Sequence, residues 1–350
     1  MKFSPLGNSG LSVSRVCLGS MTWGIQNNQK DASAQIDYAL SRGVNFIDTA
    51  EMYPVPPNKE TYGDTERHIG NWISTQPEKR KDIIIATKIA GPGFPYVRDN
   101  SLISGATVLM AIDDSLARLN TDYIDVYQLH WPNRTTPHFG KHWPNQVIPT
   151  QLDVAQEKQR MRDIVIGLGK AIESGKIRHW GLSDDTCWGI HTYIGLCEEL
   201  GVPKPVSIQN EFNLLHIKDW PFLIESCVYE DIAYLPWSPL AGGMLSGKYL
   251  HGARPKGSRF TLVQRNGLFR DTPQAQQAIT KYCEIAKKYN MTPSQLALIW
   301  CDKVDGVSSS IIGATTMEQL VENIDAYELS MSEECEQEIM SVLQTHTWPF

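Results

Sequence analysis

Apolar positions in this chain fall into short runs, and longer stretches with helical spacing lie between them. Residues 44–47, Val-Asn-Phe-Ile, sit between Gly43 and a polar exit, the pattern of a short buried strand, and the run ends at Asp48. Residues 83–87 stop at Lys88, and residues 123–129 stop at His130. Five further runs read the same way: 15–18 leading to Gly19-Ser20, 177–182 leading to Ser183, 206–209, 232–237 and 309–312. Helical spacing fills the intervals. The clearest case is 104–119, where Val108, Ile112, Leu116 and Leu119 share one face. Other helices are predicted at about 31–41, from Thr65 as N-cap to the residue before Pro77, up to Ser174-Gly175, up to Gly201, and at 218–228, 272–289, after Pro293 and 317–325.

Eight strands in strict alternation with helices imply right-handed crossovers and a parallel sheet. Eight such units favour closure into a (β/α)8 barrel, with an open doubly wound sheet as the alternative. The whole chain, 1–350, reads as one barrel domain. Residues 1–14 form a hairpin around Gly7-Asn8-Ser9-Gly10 that plugs one end. Residues 131–158, with Pro132, Pro137, Gly140, Pro144 and Pro149, read as an irregular insertion, and 330–350 as a tail. A long Gly-rich, basic loop spans about 241–262.

Composition narrows the function. A net charge of −7 does not favour nucleic-acid binding. Seven scattered cysteines point to reduced thiols in a cytosol, the N-terminal residues 1–5 offer no apolar h-region of a signal peptide, and no apolar run is long enough to span a bilayer. The expectation is a cytoplasmic protein with neither membrane nor nucleic-acid partners.

In a parallel barrel the strand ends meet on one face, so Asp48, Tyr53 just beyond it, Lys88 and His130 converge there. Each has a bland reading alone: a loop cap, a covering aromatic, a snorkelling lysine, a satisfied histidine. Together they suit proton donation to a carbonyl. A tyrosine beside an ammonium is expected to have its pKa lowered from about 10, an aspartate fixes the lysine, and a histidine orients the carbonyl. Such a reduction needs hydride, hence a nicotinamide. The Rossmann fingerprint is absent, since Gly91-Pro92-Gly93 and Gly167-Leu168-Gly169 both lack the third glycine. The run from Gly242 to Lys248 fits a P-loop until Tyr249 replaces the metal-binding hydroxyl, but a basic loop there suits a phosphate. His138 and His142 lie among Pro137, Gly140 and Pro144, which argue against a helix and for exposed loop histidines; no metal is expected.

The order Asp48, Tyr53, Lys88, His130 resembles the catalytic tetrad of the aldo-keto reductases. So do the segments 6–14, 43–50, 175–178, 237–240 and 246–249; residues 50–57 are similar to the bacterial Tas-like branch, and the surroundings of strands 7 and 8 to the potassium-channel β-subunit branch. The resemblance implies NADPH-dependent reduction of an aldehyde or ketone, with Tyr53 as general acid. It places Ser183, Asp184 and Gln209 at the nicotinamide amide and Trp237 on its ring. Ser238, Pro239, Leu240, Gly242 and Lys248 follow the pyrophosphate. Arg259, Thr315 and Gln319 meet the 2′-phosphate, and Glu322 and Asn323 the adenine. Ser20, Met21, Gln26 and Asp48 complete the cofactor set. Two positions depart from the family: Asp184 stands where many members carry Asn, and Gln319 where many carry Arg. A competing reading is an NADPH-binding regulatory barrel with slow turnover that docks on a partner protein. A metal-dependent hydrolase lacks its ligand cluster.

Overall fold

The computed structural model describes residues 1–147, 153–262 and 268–350. Ten strands form two sheets. β1 (Phe3–Pro5) and β2 (Ser12–Ser14) make an antiparallel pair. The others are β3 (Val16–Gly19), β4 (Phe46–Asp48), β5 (Ile84–Ile89), β6 (Ile124–Leu129), β7 (Ile177–Ser183), β8 (Ser207–Glu211), β9 (Ala233–Trp237) and β10 (Ser310–Ile312). These eight are parallel and close into a barrel, with β10 pairing back onto β3.

The helices are α1 (Gln29–Ser41), α2 (Asp64–Thr75), α3 (Gly105–Leu119), α4 (Pro144–Val147), α5 (Val154–Glu173), α6 (Cys187–Leu200), α7 (Phe222–Tyr229), α8 (Pro273–Lys288), α9 (Pro293–Lys303), α10 (Met317–Ala326) and α11 (Glu333–Thr345). Their apolar faces cover the outside of the sheet. Strand residues therefore split by parity. Ile47, Ile85, Tyr127 and Leu182 join the helices in one core, while Phe46, Ala86, Val126 and Leu235 fill the barrel interior. Burial on both faces is why the strands read as near-continuous apolar runs.

The hairpin closes the floor. Leu6 and Val13, both 0% exposed, enter the interior cluster beneath Cys17 and Phe46. Each such buried aliphatic chain contributes roughly 1.5–3 kcal/mol.

Several boundaries differ from the sequence reading. The N-cap position of α2 is Gly63 at φ 82°, and Thr65 instead lies buried, its hydroxyl 2.8 Å from that of Thr49. α7 begins at Phe222, after Pro221, and Lys218 precedes it. The insertion is not wholly irregular: α4 lies inside it, and α5 starts at Val154 with the Asp153 side chain accepting from the Gln156 amide. Residues 148–152, Pro149 among them, lie outside the described residues. The 330–350 tail contains α11, capped by Ser332 accepting from the Cys335 amide, with Cys335, Ile339, Val342 and Leu343 buried at helical spacing.

Candidate active site

The interior parity of the strands carries a polar layer above the apolar one. Asp48 follows Phe46, Lys88 follows Ala86, Gln128 follows Val126 and Gln209 follows Ser207, each two residues on and so facing inward. Lys88 is 0% exposed. Its Nζ donates to Asp48 Oδ2 at 2.6 Å and to the Thr49 carbonyl at 2.8 Å. Asp48 Oδ1 accepts from Gln209 Nε2 at 2.8 Å and from Gln128 Nε2 at 3.2 Å. A buried ion pair is tolerable only when the remaining lone pairs find donors, and the two glutamines supply them. Gly181 sits beside Gln128 in the register; a Cβ there would stand 2.4 Å from Ser207 Oγ. The layer closes only because that side chain is absent.

Tyr53 and His130 stand in the loops above this layer. The Tyr53 ring lies 5.1 Å from Lys88 Nζ and 5.5 Å from the His130 ring, edge to face. The expected lowering of the Tyr53 pKa does not appear. Burial, with Asp48 and Asp184 nearby, holds the phenol well above its usual range, and only Arg259 opposes this. The largest cause is the loss of water around the phenol, which disfavours the phenolate more than the neighbouring cations favour it. His130 is pushed well below the usual histidine range by burial and by Lys88, and its Nδ1 has no partner among the described residues.

The cofactor candidates gather around the same mouth. Ser20, at the end of β3, is fully buried with an unpartnered Oγ. The loop after β9 places Ser238, Ala241, Gly242 and Gly243 in the left-handed region, with φ of 53°, 51°, 68° and 95°. The Ala241 and Gly243 amides donate within the turn, to the Ser238 and Leu240 carbonyls at 2.8 Å each, and the two glycines leave room for a diphosphate to approach the backbone. Lys248 Nζ reaches that loop, 3.0 Å from where a Gly243 Cβ would be. Arg259 has no carboxylate partner among the described residues; its Nη2 lies 3.9 Å from Met21 Sδ, and burial lowers its pKa. Gln26 donates to the Gly257 carbonyl at 3.4 Å, joining the β3 loop to the basic loop. Gln319 Oε1 accepts from the Thr315 amide and hydroxyl at 3.0 and 3.1 Å. Asn323 donates to Gly313, and Glu322 accepts from Thr292 at 2.6 Å. Ser183 and Gln209 pair in register across β7 and β8.

Comparison with known proteins decides the family. The Aldo/keto reductase family matches residues 15–344. The chain belongs to that family.

Protein tas of Escherichia coli (strain K12) is 40% identical over all of this chain and 99% of its own length. A probable voltage-gated potassium channel subunit beta of Arabidopsis thaliana is 31% identical over 94% of this chain and 92% of its own. The oxidoreductase YrpG of Bacillus subtilis (strain 168) is 29% identical over 95% of this chain and 93% of its own. This aldo/keto reductase is accordingly a nicotinamide-dependent oxidoreductase, and the orphaned Ser20 hydroxyl and the glycine-containing loop after β9 fit that cofactor. No described helix is long and apolar enough to cross a membrane.

Asp184, the departure from the family pattern, is already engaged. Its Oδ1 accepts from Trp237 Nε1 at 3.1 Å and lies 3.1 Å from His138 Nδ1. Thr136 Oγ1 donates to the Asp184 carbonyl at 3.0 Å. His138 is thus 6% exposed and His142 8%, not the exposed loop histidines that the prolines suggested. The barrel mouth and the C-terminal tail bury them. His142 packs against His216, Phe269 and Phe350, and Trp143 stacks on Trp348 at 5.7 Å. Gln128 and the Thr136–Phe139 turn escaped the sequence reading. Strand parity could have found Gln128, two residues past Val126; nothing local marks Phe139.

Proposed function

We propose that this protein reduces an aldehyde or ketone to the alcohol with NADPH. The observation that carries the reading is the convergence of Tyr53 and His130 on the buried Lys88–Asp48 pair at the C-terminal ends of the strands. NADPH, when bound, would supply the hydride that the carbonyl carbon takes up. The Tyr53 phenol gives its proton to the carbonyl oxygen, and its raised pKa keeps that proton in place beforehand. Lys88, fixed by Asp48, is placed to stabilise the phenolate left behind. His130, neutral through burial, has one N–H with which to orient the carbonyl.

For the cofactor, Trp237 offers its indole face to the ring, with Ser183 and Gln209 beside the carboxamide. Ser238, Pro239, Leu240, Gly242 and Lys248 follow the diphosphate. Ser20, Met21 and Gln26 border it. Arg259, Thr315 and Gln319 face the 2′-phosphate, and Glu322 and Asn323 the adenine. The preference for NADPH rests on the cations of the basic loop, since an arginine grips a phosphate with charge-assisted bonds.

The test is NADPH oxidation by the purified protein across a panel of aldehydes and ketones. Carbonyl-dependent oxidation supports the reading. Tight cofactor binding with negligible turnover on every member would point instead to a regulatory barrel.

A further inference from the structure

The Thr136–Gly140 turn is built to hold one aromatic side chain over the mouth. Phe139 has φ 53°, a left-handed conformation that bulky residues rarely adopt. It is also 57% exposed, so burial does not hold it there. The flanking residues do. The Lys218 ammonium donates to the Pro137 carbonyl, His138 pairs with Asp184, and Gly140, at φ 86°, lies against the Phe269 ring. A strained conformation enforced from both sides at the edge of a site is a sign of function.

What Phe139 completes is an arc of rings. Its ring stacks on Trp237 at 6.0 Å and 26°, and meets Trp131 edge-on at 6.1 Å. Trp131 packs on His130 at 4.7 Å, and His130 on Tyr53 at 5.5 Å. The arc therefore runs from the proposed proton donor to the proposed ring platform. Of the charged side chains around it, Arg98 pairs with Glu51 and Arg134 with Asp185, and the Asp184 carboxylate is held by the Trp237 indole and His138. Arg259 lies apart, beside Met21.

Building on the carbonyl-reductase reading above, we propose that Phe139 is a specificity-determining residue. With Trp131 it forms a clamp that selects a flat, uncharged aromatic carbonyl, Trp237 being left as the platform for the cofactor ring. Ring faces and edges reward an aromatic partner beyond the apolar area it covers, and a preorganised clamp adds no ordering cost.

The experiment compares kcat/KM for benzaldehyde and for cyclohexanecarbaldehyde, which match in size and differ in flatness. Intrinsic reactivity differs between the two aldehydes, so the quantity read is the change in their ratio between wild type and variant. Replacing Phe139→Leu keeps bulk without a π face, and should cut the preference for benzaldehyde by about two- to tenfold. Phe139→Tyr should restore it. NADPH affinity, measured by fluorescence titration, should be the same in all three proteins. An unchanged ratio in Phe139→Leu overturns the clamp. So does tighter NADPH binding in Phe139→Leu without a change in ratio, which would make Phe139 a cover over the cofactor platform. If the wild type reduces neither aldehyde nor any other carbonyl, the proposed function itself has failed, a distinct result.

Discussion

Two buried ion pairs of this barrel look alike, and the proposed function gives them different work. Arg80 and Asp125, 2.8 Å apart, lie near the floor, where Arg80 also donates to the carbonyls of Ile83 and Tyr123 and to the Thr121 hydroxyl. The Asp125 carboxylate accepts in addition from the Ile85 amide, and the guanidinium lies 3.9 Å from the Tyr123 ring centroid. Neither side chain has a buried polar atom without a partner. Lys88 and Asp48 are as well buried and as close, but their neighbours include the unpartnered Ser20 Oγ and His130 Nδ1. Burial and pairing therefore do not separate a structural pair from one proposed to act in catalysis. Unused hydrogen-bonding capacity at the C-terminal ends of the strands does.

The comparison can be broken first at Tyr53. Tyr53→Phe removes the hydroxyl and keeps the ring, so carbonyl reduction should fall by roughly 10²- to 10⁴-fold while cofactor still binds. Turnover near the wild-type value in steady-state assays would end the tetrad assignment. Next, each pair should lose a different property. Arg80→Met leaves Asp125 buried and unpaired, and should lower unfolding stability by about 3–5 kcal/mol with kcat of the folded protein close to wild type. Lys88→Met should instead lower kcat, since Asp48 keeps the Gln128 and Gln209 donors. Denaturant titration alongside kcat measurement checks both, and a reversed pattern refutes the distinction.

Arg259 provides a third, smaller test. Arg259→Ala should weaken NADPH by about 1.5–3 kcal/mol, nearer the lower figure for a partly exposed phosphate, and leave NADH largely unaffected. Equal losses for the two cofactors would show that this loop does not read the 2′-phosphate. A fourth test concerns His216. Burial pushes its pKa down to about 3. Between that value and the ordinary value near 6.5, the unfolded chain binds a proton that the folded protein refuses, so stability falls as pH drops. The slope is about 1.4 kcal/mol per pH unit, and His216→Phe should remove that share of it. Chemical denaturation at several pH values between 4 and 7 reads it directly, and an unchanged slope refutes it.

The barrel was legible because its strands are buried on both faces and each ends in a distinctive residue, so Asp48, Lys88 and His130 could be aligned without coordinates. Tyr53 was equally legible as to place. Its electrostatics were not, because the burial of the phenol and the approach of Asp184 are made by the fold and not by the local sequence. α11 was passed over since the tail was read by position and not by the spacing of Cys335, Ile339 and Val342. The buried state of His138 and His142 depends on Asp184, His216 and the last residues of the chain, contacts that no local pattern encodes.

The seam between β3 and β10 has a consequence in time. Val16 pairs with Ser310, and Arg15 Nε meets Asp302 Oδ1 at 2.7 Å, so the first barrel strand waits for the last one. At ribosomal rates of about 5–20 residues per second, the partner of Val16 emerges roughly 15–60 s later. During that interval β3 carries an open edge, with only the hairpin and its immediate successors to shield it. Nascent chains lacking β10 should therefore be the species that holdase chaperones capture, and full-length release should mark the moment when the edge disappears.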